Sequence, residues 1–337
     1  MSNKRYAKIK SFIRENYKFL LFIVACQIFF LFPLPFVIDA PGGLLPVSDR
    51  VQVEDGTSSQ GSFNLAYVKE IQANISTYLV SLINKDWDLI EQEEVKYDHE
   101  TMKDAETRSK LLLKQGQQNA TIVAYTYAKK QVDLQDPHFY VAYLDESVNS
   151  DIQIGDELLE FNHQKITEYE EIAQKVEQTK LGEEVTLTIQ REQEEKEITI
   201  PIQKIDGEKR LGLLLIPIYD LKTDPTIKFT FHDSESGSSG GLMTALEIYD
   251  RLMEEDLTKG KTIVGTGTID AEGNVGEISG VKYKLKGAVK EKADLFFVPE
   301  GENYEEAKKV AKEKGYEIEL VPVKTFDEAV EYLKNME

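Results

Sequence analysis

Three serines and three glycines make up Ser236-Gly237-Ser238-Ser239-Gly240-Gly241, and the amphipathic stretch "LMTALEIYDRLM" follows at once. A flexible linker has this composition, and so does a turn that exposes a nucleophile. With Ser239 central, Gly237–Gly241 fits G-x-S-x-G, the spacing of a serine carried on a tight strand-to-helix turn. Such a serine is a weak nucleophile until a base takes its proton. The four histidines are His99, His138, His163 and His232. None follows Ser239, which excludes the Ser…Asp…His order of α/β-hydrolases. His232 and Asp233 are sequence neighbours and would face opposite sides of a strand, which makes a poor triad with Ser239. A neutral lysine is the other base that can serve a serine, and lysines abound in this chain. The histidines show no metal-ligand spacing, and Cys26, the single cysteine, has no intrachain partner. The letters Gly260-Lys261-Thr262 suggest a phosphate loop, but Glu255 stands where its first glycine belongs, so no nucleotide cofactor is expected.

The elements around Ser239 suit that chemistry. "IKFTF" (227–231) predicts a strand and 241–253 a helix, which puts the serine at a strand-to-helix junction. Beyond it, "KTIVGTGTID" and "VGEISG" read as strands around the turn "DAEGN". "VKYKLKGAVKEK" then reads as a helix, "LFFVP" as a buried strand and "NYEEAKKVAKEKG" as a helix. "EIELVPV" is a further strand, and Thr325 caps a last helix. This alternation predicts a layered α/β domain. In the lysine-rich helix, Lys284, Lys286, Lys290 and Lys292 read as the solvated face. Upstream, apolar positions predict helices over Ala73–Ile90 and Leu111–Lys130, with a charged loop or irregular helix over 91–108.

Between these regions lie the strand "FYVAYL", a tight Gly155-Asp156 turn into "ELLEFN", a helix in "ITEYEEIAQKV" and a hairpin in "EEVTLTIQREQEEKEITIPI". Residues 131–204 therefore resemble a PDZ domain, which implies an α+β module that takes a peptide as an added strand. The carboxylate-binding loop would lie just before Phe139, where "DLQDP" matches the usual glycine-rich form poorly. "GSSGGLMTALEIY" followed by "GTGTIDAEGNVGEISGVKYKLKGAVK" resembles the proteolytic domain of Lon-type serine proteases. Gly237–Gly241 aligns with that family's G-P-S-A-G, Thr266–Ile269 with T-G-x-I, and Gly273–Lys282 with G-x-V-x-x-I-G-G-L-K. The resemblance implies an α/β proteolytic fold with Ser239 as nucleophile, Lys282 as general base and Thr266 in support, on a turn shaped by Gly237 and Gly241. Ser238, Gly240, Ser279 and Val281 depart from the family's letters, and none of these changes removes a reacting group.

The first eighteen residues hold Lys4, Arg5, Lys8, Lys10, Arg14 and Lys18 against one acid, Glu15, so the rest of the chain is more acidic than the net charge of −20. An acidic body repels nucleic acid, and no nucleic-acid partner is expected. Phe19–Ile38 carries no charge and is about the length of a membrane-spanning helix. The positive-inside rule puts residues 1–18 in the cytoplasm and the body outside. The whole pattern resembles the membrane-anchored, PDZ-containing Lon-like serine proteases of Gram-positive bacteria. The expected division is a basic tail (1–18), a transmembrane helix (19–38), an extracytoplasmic segment associated with the protease body (39–130), a PDZ-like module (131–204) and the proteolytic domain (205–337). The resemblance implies an ATP-independent serine endopeptidase of the cell membrane, held in the lipid bilayer by its N-terminal helix and cleaving extracytoplasmic peptides or proteins. Lon-type domains often form rings, so a homo-oligomer stays open as an arrangement. The alternative is a PDZ-bearing scaffold whose Lon-like domain is inactive.

Overall fold

The structure, a computed structural model, describes residues 2–336, and of residues 2–5, 7 and 9 the backbone only. Met1, Glu337 and the side chains of Lys4 and Arg5 in the basic tail lie outside the described residues. The chain forms two compact units. One comprises Met1–Pro41 with Val68–Val95, and the other Gly42–Tyr67 with Lys96–Glu337. The boundary falls inside two strands, Pro33–Pro46 and Ser62–Asn74.

In the first unit a helix runs from Ser2 to Leu31 and stops there. The expected span over 19–38 is therefore not one helix: its last residues open the strand Pro33–Pro46. Pro33 disfavours helical backbone at Phe32, and Pro33 and Pro35 supply no N–H to a helix. Among the described residues no helix is long and apolar enough to cross a membrane. Phe36–Asp39 pairs antiparallel with the strand Asp88–Glu91. That pairing also cuts short the helix expected over Ala73–Ile90. It spans only Ile75–Ser81, started by a capping box in which the Asn74 side chain accepts from the Thr77 N–H. Leu79, Leu82 and Ile83, among the apolar positions whose helical spacing predicts that helix, are exposed.

In the second unit Ser62–Leu65, Thr262–Gly265, Leu295–Pro299 and Glu319–Val323 run parallel, in the order 319–323, 295–299, 262–265, 62–65 across the sheet. Alternate residues serve opposite faces. Ile263, Leu295 and Phe297 pack under the helices Met102–Tyr127, Gly241–Leu252 and Phe326–Asn335. Val264, Phe296 and Val298 pack under Val281–Lys290 and Glu302–Lys314. Both faces are covered, as parallel strands this apolar require. Thr325 caps the last helix as expected, accepting from the Glu328 N–H. The long helix Met102–Tyr127 starts earlier than expected because Thr101 and Asp104 form a reciprocal capping box there.

A second sheet in this unit has its own core, built from Phe139, Leu158, Phe161, Leu187 and Ile200 among others. Its order is Leu213–Asp224, Gln131–Leu144, Glu157–Phe161, Glu184–Arg191, Glu194–Pro201. Leu213–Asp224 lies beyond the expected boundary at 204, yet it pairs along the whole of Gln131–Leu144, from Leu213 opposite Leu144 to Asp224 opposite Gln131. The long helix packs on elements of both sheets: Leu111 and Leu112 meet Ala142 and Ile216 in a small separate cluster, while Ala120, Val123 and Ala124 meet the serine helix.

Candidate functional site

The strand Ile227–Phe229, paired with Val51–Val53, delivers the chain to an irregular loop that ends where the helix Gly241–Leu252 begins. Gly237 has φ +86°, a left-handed conformation that favours glycine, and its N–H donates to the Ser109 carbonyl at 2.9 Å. Gly241 is held by proximity: a Cβ there would stand 2.9 Å from the backbone nitrogen of Ile269. Ser239 lies just before the helix N-cap, Gly240, near the positive end of the helix dipole, where the Gly241 and Leu242 N–H groups donate to the Ser238 and Gly267 carbonyls at 3.0 and 3.1 Å. It is half-buried.

The Ser239 carbonyl accepts from the Gly267 N–H at 2.8 Å and from the Thr266 hydroxyl at 3.1 Å. Thr266 is buried, and its Oγ1 accepts in turn from Nζ of Lys284 at 3.2 Å. Lys284 is only 4% exposed. This corrects its reading as part of the solvated face. Lys282 is exposed, with Nζ 4.9 Å from the centroid of the Tyr283 ring. The structure therefore joins Ser239 and Thr266 to Lys284, two positions beyond the lysine singled out by motif alignment. The sequence held a signal for this. Val281, Lys284, Leu285 and Ala288 fall at i, i+3, i+4 and i+7, the buried stripe of an amphipathic helix, and Lys282 is rotated off it. His232 and Asp233 are exposed at the start of the loop.

Beside Ser238 lies a cleft of about 410 Å³. One wall is the long helix, with Gln115, Gly116 and Asn119. The other is the hairpin of Thr268–Ile269 and Val275–Gly276, with Asp270 and Asn274 at its turn. Asn119 ties the walls together by donating from Nδ2 to the Ile269 carbonyl at 3.0 Å. The cleft is lined mainly by small and polar residues. On the buried side of the serine helix, burial pushes the Glu247 carboxyl up from its ordinary value, while the Arg251 guanidinium, 2.6 Å away, pulls it down less strongly.

In the second sheet Leu213–Asp224 is the edge strand. Leu214 is exposed on it, and Gly212 at its start has φ +77°. Lys209, just upstream, donates to the Glu177 and Thr179 carbonyls at the end of the helix Tyr169–Gln178. "DLQDP" is no loop: Asp133–Pro137 is strand, paired with Tyr219–Lys222. Its partner lies some eighty residues away in sequence, and local pattern carries no sign of such a pairing. Residues 130–202 match the PDZ domain family. This segment is a PDZ domain. Similar solved structures include the PDZ domain of the SdrC-like protein from Listeria monocytogenes, 18% identical, which covers 25% of this chain and 93% of its own at a TM-score of 0.23. The PDZ domain of the SdrC-like protein from Listeria innocua is 23% identical and covers 23% and 92% at a TM-score of 0.22. No curated protein matches the chain. The PDZ sheet is completed by Leu213–Asp224, outside the matched residues, which forms one edge of the sheet while Glu194–Pro201 forms the other.

Proposed function

We propose that the protein is an ATP-independent serine endopeptidase in which Ser239 is the nucleophile and Lys284, rather than Lys282, is the general base. The observation that carries this reading is the buried Lys284 Nζ on Thr266, whose hydroxyl bonds the Ser239 backbone. Burial favours the neutral amine that a base must be. In this reading the Ser239 hydroxyl attacks the scissile carbonyl carbon as its proton passes to the Lys284 amine. The positive end of the Gly241–Leu252 helix dipole favours the developing oxyanion. Lys284 then returns the proton to the leaving amine, and water releases the acyl group by the same steps. Thr266 orients the amine. The PDZ domain selects the substrate by pairing an extended peptide with the open edge of Leu213–Asp224.

We also propose that the N-terminal helix tethers the protein to a membrane, with the basic tail in the cytoplasm. Phe19, Leu21, Phe22, Phe30 and Leu31 are exposed on it, and the uncharged run continues through Ile38.

The test is labelling of the full chain by a fluorophosphonate probe, together with casein cleavage, in Ser239→Ala, Lys284→Gln and Lys282→Gln. The expected result is loss of labelling and cleavage in the first two only. Loss in Lys282→Gln with retention in Lys284→Gln would transfer the base to Lys282. The PDZ domain itself favours a second reading, a peptide-binding scaffold. A wild-type serine that reacts with no probe while the chain still binds peptides would establish it.

A further inference from the structure

Arg50 and Glu235 stand outside the chemistry proposed above, yet they grip the loop that carries Ser239. The Arg50 guanidinium donates from Nε at 2.9 Å and Nη2 at 2.6 Å to Glu235 Oε1, and from Nη1 at 3.1 Å to the Pro46 carbonyl. The two side chains are 8% and 15% exposed. Both carboxylate oxygens are used, since Oε2 accepts from the His232 N–H at 3.2 Å. The Glu235 N–H donates back to the His232 carbonyl at 2.9 Å, so 232–235 is a closed turn with Arg50 at its centre.

Arg50 is itself held. It follows a short 3-10 turn, Val47–Asp49, and its N–H donates to the Val47 carbonyl at 2.8 Å. Its carbonyl accepts from the Thr230 N–H at 2.8 Å, and the Thr230 hydroxyl donates to the Asp49 carbonyl at 2.9 Å. The chain from Thr230 to Glu235 is thus fastened to a fixed point four residues before Ser239. The next ties, Gly237 to Ser109 and Ser239 to Gly267, belong to other elements. Without the ion pair the segment between the Thr230 and Gly237 ties would lose its anchor to Arg50, and an irregular segment of this kind is one that opens locally.

We propose that the Arg50–Glu235 ion pair is a positioning device that sets the register of His232–Gly240 and thereby the presentation of Ser239, acting on the reaction only through the loop. This rests on Ser239 being the nucleophile. A misplacement of about 1 Å at a reacting group can cost on the order of a hundredfold in rate, which gives the pair its leverage.

The experiment uses the full chain with Glu235→Gln, Arg50→Lys and the double variant Arg50→Met with Glu235→Met. Glu235→Gln removes the charge and replaces the acceptor for the His232 N–H by a donor. The double variant separates positioning from folding, because exchanging a buried ion pair for apolar side chains is commonly neutral or stabilising. Two quantities are read: amide hydrogen exchange of residues 232–240, and the rate of fluorophosphonate labelling at Ser239. The expected result is faster exchange in all three variants, labelling slowed by roughly ten- to a hundredfold, and a melting temperature in the double variant close to wild type. Unchanged exchange over 232–240 in the folded double variant overturns the proposal, whatever the serine does. Raised exchange with wild-type labelling also overturns it, because the pair would then order the loop without affecting the nucleophile. A wild-type chain that does not label at all would count against Ser239 as nucleophile, and the exchange data would still decide whether the pair holds the loop.

Discussion

A lysine works as a base only when it can be neutral, and Lys284 is the lysine that the fold removes from water beside the Ser239 backbone. Arginine at this position keeps the charge and cannot accept a proton. Lys284→Arg is therefore expected to lower turnover by about three orders of magnitude or more, as loss of a nucleophile or its base does, and Lys282→Arg to leave it near wild type. Peptide-cleavage rates of folded variants check this, and near wild-type turnover in Lys284→Arg would exclude it as the base. Glu247 gives a second prediction at this scale. Burial, opposed more weakly by Arg251, raises its folded pKa above the ordinary 4.5. The folded chain thus binds a proton that the unfolded chain has released between those two values. Its contribution to stability is fully present below the ordinary value and is lost as pH rises through the raised one. Glu247→Gln should match wild type in melting temperature near pH 4 and gain on it progressively toward neutral pH. A constant difference across that range would show that the carboxyl does not titrate in this way.

The serine loop has few apolar contacts of its own and depends on the elements around it. The long helix supplies the Ser109 carbonyl to Gly237 and places Gly116 against Ser238, where even a Cβ would lie 3.5 Å from the Ser238 Cα. Its first turn is secured by the Thr101–Asp104 capping box. Thr101→Ala should cost about 1 kcal/mol of stability, measurable by urea denaturation, and no change would mean that packing alone fixes that end. The PDZ edge belongs to this scale too. If a peptide adds to Leu213–Asp224, the amides of Leu213–Ile218 should gain protection from exchange when a peptide is bound. Protection appearing on Glu194–Pro201 instead would place the peptide at the opposite edge of the sheet.

Excision of residues 131–204 would not remove a self-contained module. It would strip Leu213–Asp224 of its partner and uncover Leu111 and Leu112 of the long helix and Ile216, which pack together with Ala142. Point changes on the edge strand are the sound way to separate substrate selection from chemistry in this chain. For the molecule in its cell, the charge step between residues 1–18 and the acidic remainder predicts that protease added to intact, wall-stripped cells digests the body. Digestion only after lysis would reverse that orientation.

Sequence alone determined what local chemistry dictates. Alternating apolar runs gave the layered strands and helices around 262–335, and Thr325 was legible as a cap because its side chain serves a backbone N–H three residues on. Gly237 and Gly241 were legible because a tight turn and a close approach leave room for little else. Tertiary structure decided which lysine is buried against Thr266, since a motif aligns residues along the chain whereas burial depends on which helix face meets the sheet. The helix end was legible in Pro33 and Pro35, but tertiary structure decided that the chain then pairs with Asp88–Glu91 and that a strand beyond the PDZ match closes the PDZ sheet. Arg50 and Glu235 were invisible until folded. Their 185-residue separation holds no periodicity, and only the folded chain brings a guanidinium and a carboxylate within 2.6 Å away from water.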